Sequence, residues 1–249
     1  MFLSRLYINI GDDPNRPRPG RQWLRNFYRV HQRLCMAFPS ENRKTNDPDF
    51  LQPFNPQDFG DKQVHVERRD ESGFLFRIDP TVRGEAIILV QSALKPNWQY
   101  AFHNADYFLA AEPETKKYNP AFTQDQRLQF RLFANPTRKI DTKSGPDGRR
   151  RHGKRVPVSS DQLDNWLVSR AQAGGFEVDN ESLVIQPGYS YINKECKGQG
   201  KRLRSARYDG ILKVLDPEQL RETLVSGIGP AKAFGFGLLS VAPVPGSTV

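Results

Sequence analysis

A chain of 249 residues is long enough for two domains of ordinary size, and 37% hydrophobic with 11% aromatic content excludes a disordered chain. Its 37 Lys and Arg against 28 Asp and Glu give a net charge of +9, which points to a polyanionic partner, nucleic acid before an anionic membrane surface. Cys35 and Cys196 show neither CxxC nor Cys/His ligand spacing. Neither a disulfide scaffold nor a structural zinc site is therefore supported, and a reducing cytoplasm is the expected compartment. No apolar run approaches the roughly 18–20 residues of a membrane span.

In chain order, residues 2–10 alternate Phe2, Ser4, Leu6, Ile8 and Ile10 against Leu3, Arg5, Tyr7 and Asn9. That period of two predicts a strand, and Arg5 with no small-residue cleavage site after it argues against a signal peptide. Residues 11–20 read as a Pro/Gly loop and 21–38 as a helix. The stretch 39–73 is polar and Pro-rich, a long loop with short elements. "FLFRI" (74–78) and "AIILVQS" (86–92) read as strands, followed by an undefined helix and by "QRLQFRLFANP" (126–136), which alternates again. Residues 137–155, Gly-containing and strongly basic, read as a linker or loop.

A second round follows. "KRVPVS" (154–159) is a strand candidate, and 159–175 a helix with Ser160 or Asp161 as N-cap and Gly174–Gly175 as its stop. Residues 176–196 and 201–216 read as strands of a hairpin around "KGQG". Helix 216–228 has Asp216 as N-cap and Pro217 at its first position, and strand 235–244 closes the chain. Each half thus reads β-α-β-β-α-β. The fold class is α+β, two ferredoxin-like (RRM-like) units in tandem, with domains at 1–140 and 141–249. No internal repeat supports this; it rests on element order.

Within the first helix, Trp23, Phe27, Val30, Leu34 and Phe38 fall within about 80° of one another at 100° per residue, the core stripe. Arg21, Arg25, Arg29 and Arg33 lie away from it. Tyr28 and His31 sit on the border, with Cβ atoms about 5–6 Å apart. A histidine gives and takes protons near neutral pH, a tyrosine hydroxyl orients an oxygen or the imidazole, and arginines such as Arg21 and Arg25 hold phosphate. Such a group could drive attack of an RNA 2′-hydroxyl on its own phosphate without a metal. The spacing equally fits a histidine and a tyrosine packed at the edge of a core. His65, His103 and His152 read as surface histidines.

Two basic or glycine-rich stretches remain. "GIGPAKAFGFGLL" (227–239) has Gly227, Gly229, Gly235 and Gly237 around Lys232. It either exposes amides to phosphate or is a tight helix-to-strand connection; it is neither a Walker loop nor a dinucleotide fingerprint. The hairpin 193–207 carries Lys194, Lys197, Lys201, Arg202, Arg204 and Arg207 with few acids between them. It reads as a phosphate-binding surface on folded RNA, or as a solvated edge.

"FLSRLYINI" (2–10), "YRVHQRL" (28–34), "RLFANPTRK" (131–139) and "GIGPAKAFGFGLLSVAP" (227–243) together resemble the CasE family, the CRISPR repeat-RNA endoribonucleases of the type I-E Cascade system. The resemblance runs the length of the chain and implies a tandem ferredoxin-like fold. It also implies metal-independent cleavage of precursor CRISPR RNA in the repeat stem-loop, without a cofactor, in a protein that partners other Cascade subunits. The family's Tyr-x-x-His pair falls on Tyr28 and His31. Its RNA-binding hairpin falls on 193–207, with Lys197, Lys201, Arg202 and Arg204, and its glycine-rich loop on 227–237 with Lys232. A non-catalytic RNA-binding scaffold on the same fold is the alternative. A metal-dependent nuclease is disfavoured, because no carboxylate cluster has ligand spacing.

Overall fold

A computed structural model describes residues 1–11, 18–38, 73–80, 85–140, 154–193 and 200–245. Most of the loops expected at 11–20 and 39–73 lies outside these residues, as do residues 141–153, His65, His152, Cys196 and Lys197. The chain forms two compact units. One comprises Met1–Pro120, Tyr191–Lys201 and Ala233–Gly235; the other comprises Ala121–Ser190, Arg202–Lys232 and Phe236–Val249.

The first unit runs β1 (Phe2–Asn9), α1 (Pro19–Leu24), α2 (Phe27–Cys35), β2 (Phe74–Pro80), β3 (Glu85–Ser92), α3 (Trp98–Phe102) and β4 (Glu114–Lys117). The sheet order is β2-β3-β1-β4, every pair antiparallel. This is the second-third-first-fourth order of a ferredoxin-like unit. Leu6 and Ile8 of β1, Phe76 of β2 and Ile88 of β3 are buried under Val30 and Leu34 of α2. The alternation in β1 and the helical stripe therefore meet face to face, as their periods require.

The single helix expected over 21–38 is two. Asn26 interrupts it with an extended backbone (φ −112°, ψ 97°), and its side chain accepts a hydrogen bond from the Tyr28 amide. An asparagine offers the backbone this local partner, so it favours a cap over a helix interior. The helix left undefined before residue 126 is α3, started in the same way by Asn97, whose Oδ1 accepts from the Tyr100 amide at 2.9 Å. Strand β4 gave no signal in the sequence. All four of its residues are exposed on a sheet edge, so it shows no alternation.

The second unit runs β5 (Arg127–Ala134), β6 (Thr137–Ile140), β7 (Lys154–Pro157), α4 (Leu163–Ala173), β8 (Phe176–Val178), β9 (Val184–Ile192), β10 (Lys201–Val214), α5 (Pro217–Ser226) and β11 (Leu239–Pro243), with the last two residues of β9 and the first of β10 counted in the first unit. Its sheet order is β11-β5-β10-β8, with β9 also on β10. Taking β8 and β9 together as the second strand, this is again the ferredoxin-like order, and β5 is the first strand. The reading of 126–136 as the closing strand of the first round is thereby corrected. Alternation had shown which face of β5 is buried, Leu128, Phe130, Leu132 and Ala134, but it carries no information about pairing partners. Likewise "KRVPVS" does not open the second sheet. Its β7 pairs with β6 in a separate two-stranded ribbon, so both ends of the expected linker are strand.

Candidate active site and nucleic-acid surface

Tyr28 and His31 lie one turn apart on α2, both half-buried. The His31 ring stacks on two phenylalanines of β2. Its centroid is 5.5 Å from Phe74 with planes 25° apart, and 6.4 Å from Phe76 with planes 18° apart. Its Nε2 is 3.5 Å from the Cys35 Sγ, one turn further along α2. The aromatic pair fixes the plane of the imidazole and covers one of its faces, while the half-burial leaves part of it open to solvent. A proton-transfer group needs that combination of fixed orientation and access.

The glycine-rich segment supplies the other wall. Phe234 lies in a 3-10 turn (Lys232–Phe234), its ring 6.3 Å from that of Tyr28. The next residue, Gly235, has φ +76°, and a Cβ there would stand 3.0 Å from Phe76 Cε2 and 3.5 Å from Phe27 Cδ2. Only glycine fits a left-handed position pressed against aromatic rings. Phe76 thus lies beside both Gly235 and His31.

On the same helix, Arg33 donates to the Ala101 carbonyl at 3.0 Å and to Asn104 Oδ1 at 2.9 Å, which ties α2 to α3. Burial lowers the pKa of its guanidinium. Arg33 holds the fold, whereas Arg21 and Arg25 are exposed.

The expected RNA ligands divide into exposed and engaged groups. Lys201 and Arg202 are exposed on β10, and the Arg202 guanidinium sits 4.4 Å over the Tyr189 ring. Arg204 is half-buried and donates to the Val158 carbonyl (3.1 Å) and to Ser160 Oγ (2.7 Å). Arg207 and Arg131 share the carboxylate of Asp209. Lys232 donates to the Ser226 carbonyl at the end of α5. Gly227, Gly229, Gly235 and Gly237 all have positive φ, between 72° and 89°. The amides of Gly227 and Gly237, however, bond the carbonyls of Thr223 (2.8 Å) and Phe133 (2.7 Å). At those two positions the segment is the helix-to-strand connection, one of the two readings its sequence offered.

Several residues of the site were not singled out in the sequence. The Phe74–Phe76 shelf and Phe234 gave no local signal, because nothing in the chain says which aromatic residues meet. Asn26 did give one, an asparagine just before a helix. The β6–β7 ribbon exposes Arg138, Lys139 and Arg155, with Lys139 directly opposite Arg155. His103 is exposed at the end of α3. Among the described residues, no group of three or more His, Cys, Asp or Glu could hold a metal ion. No helix among them is long and apolar enough to cross a membrane.

Residues 1–243 match the sequence model of the family described as CRISPR associated protein. The chain is 34% identical to the CRISPR-associated endoribonuclease Cse3 of Thermus thermophilus, over 98% of this chain and all of that one. It is 29% identical to the CRISPR system Cascade subunit CasE of Escherichia coli, again over 98% and 100%. A solved structure of the endoribonuclease Cse3 bound to a 19 nt RNA superposes with a TM-score of 0.68 at 27% identity, covering 98% of this chain and 100% of that chain. The sheet orders, the quoted motifs and these full-length matches agree: the chain belongs to the CasE family of CRISPR-associated proteins.

Proposed function

We propose that this protein is an endoribonuclease that cleaves CRISPR repeat RNA at its stem-loop, with His31 and Tyr28 at the scissile phosphate, and that it serves as a Cascade subunit. The observation that carries the reading is the His31 imidazole. It is stacked on Phe74 and Phe76, half-exposed, and one helical turn from the Tyr28 ring. Full-length likeness to an endoribonuclease and to an RNA-bound structure supports the substrate class.

The 2′-oxygen attacks the adjacent phosphorus, forming the 2′-O–P bond as the P–5′-O bond breaks. The 2′-hydroxyl must lose a proton and the leaving 5′-oxygen must gain one, and an imidazole at neutral pH performs either transfer. The Tyr28 hydroxyl orients the reacting oxygen, and Arg21 and Arg25 neutralise phosphate charge. The chemistry requires proton transfer and charge neutralisation alone, so these side chains suffice without a metal. The products are a 2′,3′-cyclic phosphate and a 5′-hydroxyl. Lys201 and Arg202 grip the RNA backbone in a contact that cleavage does not alter, so the enzyme keeps its product. Catalysis thus belongs to the first ferredoxin-like domain, and the cytoplasm is the compartment in which repeat RNA is met.

The test is incubation with a repeat stem-loop RNA in EDTA. Cleavage is expected, with a cyclic phosphate end, and a 2′-deoxy substitution at the scissile nucleotide should block it. Activity lost on chelation and restored by magnesium would overturn the mechanism. Tight binding without any cleavage would leave the non-catalytic scaffold as the function.

A further inference from the structure

We infer that Asn26 is a positioning residue that holds the end of hairpin strand β9, at Asn193, against the catalytic helix. This rests on the reading of Tyr28 and His31 as the catalytic pair. The Asn26 side chain makes three hydrogen bonds. Its Oδ1 accepts from the Tyr28 amide at 3.2 Å and from the Asn193 amide at 3.1 Å, while its Nδ2 donates to the Asn193 carbonyl at 2.9 Å. Only one orientation of the side-chain amide satisfies all three, because two N–H groups need its oxygen and one carbonyl needs its nitrogen.

The cap alone does not need an amide. Serine, threonine or aspartate would satisfy the first turn of α2 as well. The second function does need one. A backbone N–H and C=O of a single residue, met together by one side chain, call for a donor and an acceptor side by side, which asparagine supplies at this length. Asn193 directly follows β9 and belongs to the same compact unit as α2 and Lys201. One side chain therefore fixes the start of the catalytic helix and the end of a hairpin strand against each other.

The chemical need for such a link follows from the reaction. Phosphate contacts on the hairpin set where the RNA lies, and His31 must meet one particular phosphate on it. A misplacement of about 1 Å between contact and catalyst costs about 100-fold in rate. Affinity comes from the cations and is unaffected by the link. Loss of the clasp should therefore lower the cleavage rate with little change in RNA affinity.

The experiment compares Asn26→Ser, Asn26→Asp and Asn26→Ala with the wild-type chain, and with His31→Ala as a control. Single-turnover cleavage, stem-loop affinity, thermal melting and amide hydrogen exchange are measured on each. Serine keeps the cap on Tyr28 but is too short to reach Asn193. Its melting temperature should stay near wild type, its affinity within about threefold, and its cleavage should slow by about 10–100-fold. The Asn193 amide should exchange faster while the Tyr28 amide stays protected. Aspartate keeps both acceptor contacts and loses the donor, so it should cleave at a rate between serine and wild type. Alanine should lose melting temperature as well as rate. Wild-type cleavage by Asn26→Ser, or rates that follow melting temperature across the series, would reduce Asn26 to a helix cap and overturn the inference. His31→Ala cutting at the wild-type rate would instead overturn the catalytic reading on which it rests.

Discussion

Replacing His31 with phenylalanine separates chemistry from packing. The imidazole stacks 5.5 Å from Phe74 and 6.4 Å from Phe76. A phenyl ring can keep both contacts, each worth about 0.5–1.5 kcal/mol, and it cannot transfer a proton. His31→Phe should therefore melt within a few degrees of wild type, at about 2–4 °C per kcal/mol in a domain of this size. His31→Ala loses the ring and should cost about 1–3 kcal/mol, well within the roughly 5–15 kcal/mol stability of a folded domain. If His31 is the proposed acid–base group, both variants should lose about 10²–10⁴-fold in rate, or about 3–5 kcal/mol of transition-state stabilisation at 1.36 kcal/mol per decade. The assay is single-turnover cleavage of a repeat stem-loop at saturating enzyme, beside a thermal melt of each variant. If the ring were only packing, phenylalanine would cleave like wild type. That result would refute the assignment of His31 as a catalytic residue.

Gly235→Ala should lower stability by about 1–3 kcal/mol, from the left-handed backbone and the push on Phe76, and slow cleavage more than it weakens binding. Gly188→Ala, whose Cβ would meet only Ser205 Oγ at 3.4 Å, is the control expected to be silent in both assays. Lys201→Ala with Arg202→Ala should lower the salt slope of RNA binding by about one unit for each lost phosphate contact, without moving the melting temperature. Arg204→Ala should lower the melting temperature, because its guanidinium bonds Val158 and Ser160 inside the protein; an unchanged melt with a lowered slope would reverse that assignment. Burial raises the pKa of the Tyr208 phenol, so the folded protein keeps a proton that the unfolded chain sheds above about pH 10. Stability from this group is full below that pH and declines above it. Tyr208→Phe should cost about 1–2 kcal/mol at pH 7 by removing the hydroxyl's bond to the Leu163 carbonyl, and should show a smaller drop in urea unfolding between pH 8 and pH 11 than wild type. An equal drop in both proteins would refute it.

Element types were legible where one face of an element meets the core. Strand β1, the buried face of β5 and the N-cap of α5 all followed from periodicity and cap chemistry. Pairing was not legible, because the order β-α-β-β-α-β fits the chain in more than one frame. The basic stretch at 137–155 looked like the natural frame boundary. The unit boundary in fact precedes β5, where polar residues around Tyr118 and Pro120 gave no comparable signal. The break within the helix expected over 21–38 is hidden for a different reason. Trp23, Phe27, Val30 and Leu34 keep one helical phase across the break at Asn26, so periodicity alone cannot see the break.

For the site, residue type offered His31 as a group able to transfer a proton and Tyr28 as one able to orient an oxygen, and resemblance selected them. Neither shows what makes a histidine useful there, which is its surroundings. With nine residues, α2 is too short to hold as an isolated helix. It is helical because Val30 and Leu34 are buried, Asn26 caps its start, and Arg33 ties its last turn to α3. Phe234 and Gly235, some two hundred residues along the chain, complete its surroundings at Tyr28 and Phe27. Each of these ties is weaker than the helix as a whole, about 1 kcal/mol for a cap or a hydrogen bond. A proton-transfer geometry, however, fails at displacements far smaller than those that unfold a domain. Activity should therefore be lost before stability at every one of these contacts. On the proposed mechanism, the residues that govern the rate then form a larger set than Tyr28 and His31 themselves, drawn from β2, α3, the end of β9 and the glycine-rich segment.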